Sequence, residues 1–175
     1  MKTYSFVLLL TVALFAMLPI CTAQTAVVGQ ETSCQAIAGV LMTDINAIPY
    51  PTPANGTNLG PAFGDLHGAV SATILGQNPD GSFNVQHYWA STEGDIIKFK
   101  QAILHPVYLP NSPGVVAVPW GHYLAYIIPG GTGKYKDATG VIDCFGMADF
   151  NALTLVLRYR GTLCLKTTGP PTTVQ

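Results

Sequence analysis

The feature that most constrains this fold is the alternation of apolar and polar residues with a period of two. Between residues 34 and 164, no long segment keeps its apolar residues at helical spacing. Short alternating segments are instead separated by glycine and proline, of which the chain has 18 and 13. The pattern predicts an all-β, antiparallel protein with little helix. The predicted strands are Gln35–Thr43, Asp65–Ile74, Phe83–Trp89, Asp95–Leu104, Tyr123–Ile128, Val141–Phe145 and Leu153–Cys164.

Two proline-rich segments interrupt these strands, and a glycine-rich run lies between the fifth and sixth. Ile45–Phe63 and His105–Gly121 are predicted to be long loops, the second covering one mouth of the fold. In Gly130–Gly140 we predict two turns around an extended insert, Lys134–Lys136. A phosphate-binding loop is excluded, because that motif needs Ser or Thr after the lysine and a helix beyond it.

The glycine-rich run also carries a family resemblance. Ile127-Ile128-Pro129-Gly130-Gly131-Thr132-Gly133-Lys134-Tyr135, followed by Ala138-Thr139-Gly140, resembles the glycine segment of the dirigent proteins and allene oxide cyclase-like β-barrels. The flanking segments Tyr123–Tyr126 and Tyr159–Gly161 match as well, and the similarity is best over residues 120–164. Strand pattern alone does not separate a barrel from a sandwich. The resemblance implies a single antiparallel eight-stranded barrel over residues 34–166.

The N-terminus predicts the compartment. Met1–Ala23 has a basic start, an apolar core and a small-residue end, as signal peptides do, so we expect cleavage before Gln24 and a secreted protein. A lipoprotein signal is disfavoured by the bulky Ile20 before Cys21. Residues 24–33 are predicted to be a flexible leader and residues 167–175 a disordered tail. Asn55 begins a glycosylation sequon.

Composition and cysteines limit the partners. The formal net charge is −1 and there is no basic patch, which argues against nucleic acid; no later segment is apolar enough for a membrane anchor. If the first and last strands are neighbours in a closed barrel, Cys34 faces Cys164, so we expect that disulfide, with Cys144 free or paired between chains. The family resemblance implies a homodimer or trimer.

Strand parity indicates which side chains face the interior. It places four polar side chains on otherwise apolar faces: His87, Asp95, Gln101 and Asp143. Either they satisfy one another or lie near water at strand ends, or they line a ligand pocket. On the second hypothesis, His87, Asp95 and Tyr123 are the candidate catalytic residues, for orientation or proton transfer. The other predicted pocket residues are Phe83, Val85, Trp89, Phe99, Gln101, Asp143 and Tyr159.

The sequence contains no motif for metal binding or for a catalytic serine nucleophile. The histidines at positions 67, 87, 105 and 122 have no metal-ligand spacing, and no Gly-x-Ser-x-Gly motif is present. We therefore expect no metal site, and the family resemblance implies that no other cofactor is used.

Three functions remain open. The family resemblance implies a cofactor-independent cyclase or isomerase that binds and orients a small apolar intermediate in natural-product biosynthesis. The alternatives are a carrier of a small apolar ligand and a structural barrel with a filled core. A cavity at the barrel mouth, beneath His105–Trp120, would favour either of the first two over the third.

Overall fold

The computed structural model describes residues 30–48 and 56–168. The predicted signal peptide, Asn55 and residues 24–29 of the predicted leader lie outside these ranges, as do residues 169–175 of the predicted tail. Residues 30–33 are not part of a flexible leader, because the first strand begins at Gln30 and pairs with the last strand up to Thr168. The barrel therefore extends beyond the predicted limits at both ends.

Almost all of the described chain is β-strand. The strands are β1 Gln30–Ile48, β2 Thr57–Gly64, β3 Gly68–Gln77, β4 Phe83–Ser91, β5 Ile96–Lys98, β6 Ala102–Leu104, β7 Val107–Tyr108, β8 Val115–Val118, β9 Leu124–Ile127, β10 Thr139–Asp149 and β11 Thr154–Thr168. A 3-10 helix spans Gly133–Tyr135. No helix among these residues is long and apolar enough to cross a membrane.

The strands form a closed antiparallel barrel. Their order is β5-β4-β3-β2-β1-β11-β10-β8-β7, with β6 also on β4 and β9 also on β10. The two edges are joined by backbone hydrogen bonds: Ile128 N–H donates to the Lys98 carbonyl at 3.0 Å and Lys100 N–H donates to the Tyr126 carbonyl at 2.9 Å. Because β5, β6 and β7 follow one another at one position and β8 and β9 share another, eight positions surround the lumen. The predicted eight-stranded barrel is confirmed.

Both predicted long loops contain strands. The first contains the end of β1 and nearly all of β2, and the second contains β7 and β8. Pro61 obscured β2 in the sequence, although this strand pairs with β1 and β3 along its length. Gly60 is required there, because a Cβ at its position would collide with the Met42 carbonyl oxygen.

The glycine-rich run is a 3-10 turn, so the prediction of an extended insert was wrong. Tyr135 N–H donates to the Thr132 carbonyl at 2.9 Å, and Lys136 N–H donates to the Gly133 carbonyl at 3.2 Å. Gly133 has φ +48°, and a Cβ there would meet the Asp95 carboxylate, so only glycine fits. The turn carries Tyr135 into the interior, where it is 4 % exposed.

The interior is densely packed at one end. Trp89 stands edge-to-face on Tyr159, with ring centroids 5.3 Å apart, and lies 6.2 Å from Phe99. The Tyr159 hydroxyl accepts a hydrogen bond from Leu66 N–H at 2.8 Å. Together with Tyr135, these side chains fill the barrel at the end where β4 finishes. We call this the filled end.

The predicted disulfide is present. Cys34 of β1 faces Cys164 of β11 in the strand register, and the two are bonded. Cys144 is a free thiol, 1 % exposed. Because it faces the interior, it is inaccessible to a second chain, which rules out intermolecular pairing.

Candidate functional site

The opposite end of the barrel encloses a cavity of about 260 Å³. Phe83 and Val85 begin β4 on one side of it, and Leu155 and Leu157 begin β11 on the other. The segment that was predicted to cover one mouth supplies further walls, among them Tyr108 on β7. Tyr108 is 60 % exposed, so it forms part of the rim. We call this region the hollow end.

The cavity wall is mainly aliphatic and aromatic, with few polar groups. Asn58 on β2 and Tyr123, just before β9, are its buried polar residues. The side-chain oxygen Oδ1 of Asn58 accepts a hydrogen bond from Asn46 N–H at 3.2 Å. A largely apolar wall with a few placed polar groups is typical of small-molecule sites.

Tyr123 connects this cavity to a buried histidine. Its hydroxyl and Nε2 of His87 are 2.5 Å apart, and both residues are buried. Within the described residues, Nδ1 of His87 is buried without a hydrogen-bond partner. The structure thus brings together two of the three predicted catalytic residues, and Tyr123 is the one that reaches the cavity.

Burial keeps both members of this pair neutral. Desolvation lowers the pKa of His87 to about 4. Desolvation, aided by Cys144, raises the pKa of Tyr123 well above its ordinary value. Near neutral pH the pair is an imidazole and a phenol joined by one hydrogen bond. It can therefore orient a ligand through the Tyr123 hydroxyl, but neither ring readily holds a charge.

Asp95, the third predicted catalytic residue, lies at the filled end. Its N–H donates to Oγ of Ser91 at 3.2 Å, and its carboxylate accepts from Lys134 N–H at 3.3 Å. The carboxylate therefore anchors the glycine-rich turn. The length of β4 separates Asp95 from the cavity, so the structure does not bring it to Tyr123.

Two predicted pocket residues do not face the lumen. Gln101 is exposed, because the chain is irregular between β5 and β6 and the inward positions pass from Phe99 to Ala102. Asp143 is on the outer wall, since its neighbours Ile142 and Cys144 point into the core. The turn that contains Gly121 covers Asp143 on the outer surface of the barrel, and strand parity does not reveal such a cover.

The remaining predicted pocket residues divide between the two ends. Phe83 and Val85 line the cavity. Trp89, Phe99 and Tyr159 belong to the packed core of the filled end. Asn58 and Tyr108 were missed, because both lie in segments predicted to be loops. The burial of Asn58 and Ala62 on β2 is visible only in the structure, so no pattern in the sequence marks either residue.

No protein-family model and no curated protein matches the chain. Among solved structures, the pterocarpan synthase dirigent protein GePTS1 is similar, at 15% sequence identity and a TM-score of 0.33. The match covers 79% of this chain and 94% of GePTS1. The fold assignment made above rests on the strand pairing of this chain itself.

Proposed function

We propose that this barrel binds a small, mostly apolar molecule at its hollow end and directs the cyclisation or isomerisation of that molecule without a cofactor. The observation that carries the proposal is the apolar cavity of about 260 Å³, which has the polar residues Tyr123 and Asn58 in its wall. A filled structural barrel would not need such a cavity.

Positioning is the mechanism that these residues support best. An apolar wall that closely encloses a flexible molecule restricts it to few conformers, and such restriction can supply several kcal/mol of a reaction barrier. If Nε2–H of His87 donates to the Tyr123 oxygen, the phenol hydrogen is free to bond a ligand oxygen. Tyr123 would then polarise a carbonyl or ether, and Asn58 would fix its other end.

The same residues argue against proton transfer as the main contribution. With a pKa of about 4, His87 is a weak base and is uncharged near neutral pH. The carboxylate expected to assist it, Asp95, anchors a turn at the other end of the barrel. In our proposal the reactive intermediate reaches the barrel already activated, and the barrel selects one product.

We further propose that the protein acts outside the cell or in the secretory pathway, in natural-product biosynthesis. The Cys34–Cys164 disulfide supports an oxidising compartment. The signal-peptide prediction for residues 1–23 is consistent with this location.

A carrier is the second candidate function, and the neutrality of the His87–Tyr123 pair favours it. A pair that holds no charge is suited to binding, and an apolar cavity retains a ligand without transforming it. Carrier and cyclase share the same site, so they differ only in whether the product changes.

The experiment is chiral metabolite profiling of the source organism with and without the gene. Complementation uses Ala72→Phe, which fills the cavity, and Ala69→Phe, which adds the same side chain at an exposed position of the same strand. We expect loss of one stereoisomer or cyclised product without the gene, rescue by Ala69→Phe, and no rescue by Ala72→Phe. An unchanged profile would contradict the biosynthetic proposal and favour the carrier.

A further inference from the structure

Two histidines meet on the outer wall of the barrel. His105 follows β6 and His122 lies just before β9, and the two segments pair antiparallel through Leu104 and Tyr123. His105 is therefore directly opposite His122, and its N–H donates to the His122 carbonyl at 3.0 Å. Because Leu104 and Tyr123 line the lumen cavity, the histidines next to them face outward, where both are exposed.

The separation of the two rings suits a shared metal ion. Their centroids are 6.4 Å apart. A metal ion about 2.0–2.1 Å from an imidazole nitrogen is about 3.2 Å from the ring centroid, so two imidazoles on one ion have centroids about 5–6.5 Å apart. The observed separation falls within this range.

The side chains are also free to turn toward a common ion. The two rings stand at 87° to each other, with the edge of one toward the face of the other. Both side chains are exposed, so rotation between staggered rotamers is not blocked by a packed core. Residues directly opposite in an antiparallel pair have Cβ atoms about 4.5–5.5 Å apart, which lets a nitrogen of each ring reach one point.

The charges near the pair do not decide whether a cation binds. The histidines line a groove of about 350 Å³ together with Lys100, which repels a cation. Asp80 attracts one: hydrogen bonds from Ser82 hold the pKa of its carboxyl below the ordinary value, and nearby His105 lowers it further. The imidazole nitrogens must therefore provide most of the affinity.

The donor atoms select the kind of ion. Imidazole is a good ligand for Zn²⁺ and Cu²⁺, whereas Mg²⁺ and Ca²⁺ prefer oxygen ligands. Among the described residues, no group of three or more His, Cys, Asp or Glu side chains could hold a metal, so water would complete the coordination. The two histidines are far apart in the sequence, and for this reason ligand spacing does not reveal them.

We propose that His105 and His122 form a binding site for one divalent transition-metal ion, Cu²⁺ or Zn²⁺. The two residues flank the segment 106–121, which contributes Tyr108 and Val116 to the wall of the lumen cavity. One ion held by both histidines would tie the two ends of this wall together. The site is outside the lumen and does not rest on the proposed cyclase or carrier function.

The test is calorimetric titration of the full chain, without a histidine tag, with Cu²⁺ and with Zn²⁺ at about pH 7.5. We expect one ion per chain, with a dissociation constant of about 10 μM for Cu²⁺ and a larger one for Zn²⁺. His105→Gln and His122→Gln should each weaken binding at least about tenfold, because one imidazole remains. His67→Gln, which removes an exposed histidine elsewhere on the barrel, should leave binding unchanged.

Thermal unfolding gives a second readout. Zn²⁺ at about 1 mM should raise the unfolding midpoint of the wild type by at least about 2 °C, because the ion binds the folded chain more tightly than the unfolded one. The variant lacking both histidines should show no such rise. The proposal is overturned if neither ion binds at about 1 mM, or if either single variant binds as the wild type does. It is also overturned if Mg²⁺ or Ca²⁺ binds the wild type as tightly as Zn²⁺ does, since this would indicate oxygen ligands.

Discussion

At the filled end of the barrel, Trp89, Phe99 and Tyr135 occupy the lumen, whereas at the hollow end the same strands enclose about 260 Å³. The inward positions alternate in the same way at both ends, so strand pattern does not account for the difference. At the hollow end, small inward residues such as Ala72 and Ala148 leave space that the other side chains of the wall do not fill. A barrel of this size can therefore combine a core for stability with a cavity for a ligand.

The largest expected difference between the ends comes from truncating one aromatic residue at each. Trp89→Ala should lower the free energy of unfolding by about 3–5 kcal/mol, because the packed side chains around Trp89 cannot move in to fill the cavity that it leaves. Phe83→Ala at the hollow end should cost about half as much, since Phe83 already borders empty space. Urea denaturation of both variants measures this; equal losses would mean that the two ends are packed alike.

The pH dependence of stability tests the boundary between the ends, where His87 lies. Its pKa falls from 6.5 in the unfolded chain to about 4 in the folded one, so the unfolded state binds more protons between these values. Stability should therefore decrease as the pH falls from about 6.5 to 4, by about 3 kcal/mol in total.

His87→Gln should abolish this pH dependence, and His67→Gln, at an exposed position, should retain it. Urea denaturation at a series of pH values gives the comparison. A flat profile in the wild type would show that His87 is accessible to protons in the folded barrel.

Removing one tyrosine hydroxyl at each end sharpens the contrast. Tyr159→Phe leaves the N–H of Leu66 buried without an acceptor and should cost about 1–3 kcal/mol. Tyr123→Phe removes the partner of His87 Nε2, but the adjoining cavity can admit water, so the loss should be smaller. Amide hydrogen exchange at Leu66 should accelerate in Tyr159→Phe only; acceleration in both would show that the two hydrogen bonds are coupled.

The smallest expected effect is that adding methyl groups raises the free energy of unfolding at the hollow end and lowers it at the filled end. Ala148→Val adds methyl groups toward the cavity and should stabilise the protein by about 0.5–1 kcal/mol while weakening ligand binding. Ala138→Val adds them to the filled end, where overpacking should cost about 1–3 kcal/mol. Thermal unfolding distinguishes a gain from a loss. Two losses would mean that the cavity has no spare volume for a larger side chain.

Much of the fold could be predicted from local alternation. The inward residues of β4 were predicted correctly from Phe83 to Trp89, and so was the contact between β1 and β11 that brings the cysteines together. Alternation is reliable where a strand is continuous, because one face must be apolar.

The failures came from features that alternation does not encode. Pro61 and Gly60 obscured β2, and with it Asn58 at the site. The irregularity between β5 and β6 reversed the expected orientation of Gln101. Parity within the predicted strand Leu153–Cys164 puts Leu153 on the inner face with Leu155 and Leu157. Leu153 is instead 50 % exposed, because it has φ +54° in the turn before β11.

The candidate site depended on tertiary packing even more than the strands did. Parity identified His87 and Tyr123 as inward, but their hydrogen bond depends on how β4 and β9 flank β5 and β6 in the barrel. The burial of Asp143 depends on the turn containing Gly121, which covers it from outside. Neither arrangement can be recognised from the amino-acid sequence around these residues.

The disulfide between Cys34 and Cys164 joins residues 130 apart in the chain, so nearly the whole barrel lies within one covalent ring. In the loop-closure model, such a ring lowers the conformational entropy of the unfolded chain and so stabilises the folded state by about 4–5 kcal/mol. It also means that a protease cutting once in any exposed connection between β1 and β11 releases no fragment. The two pieces stay covalently joined by the disulfide between β1 and β11.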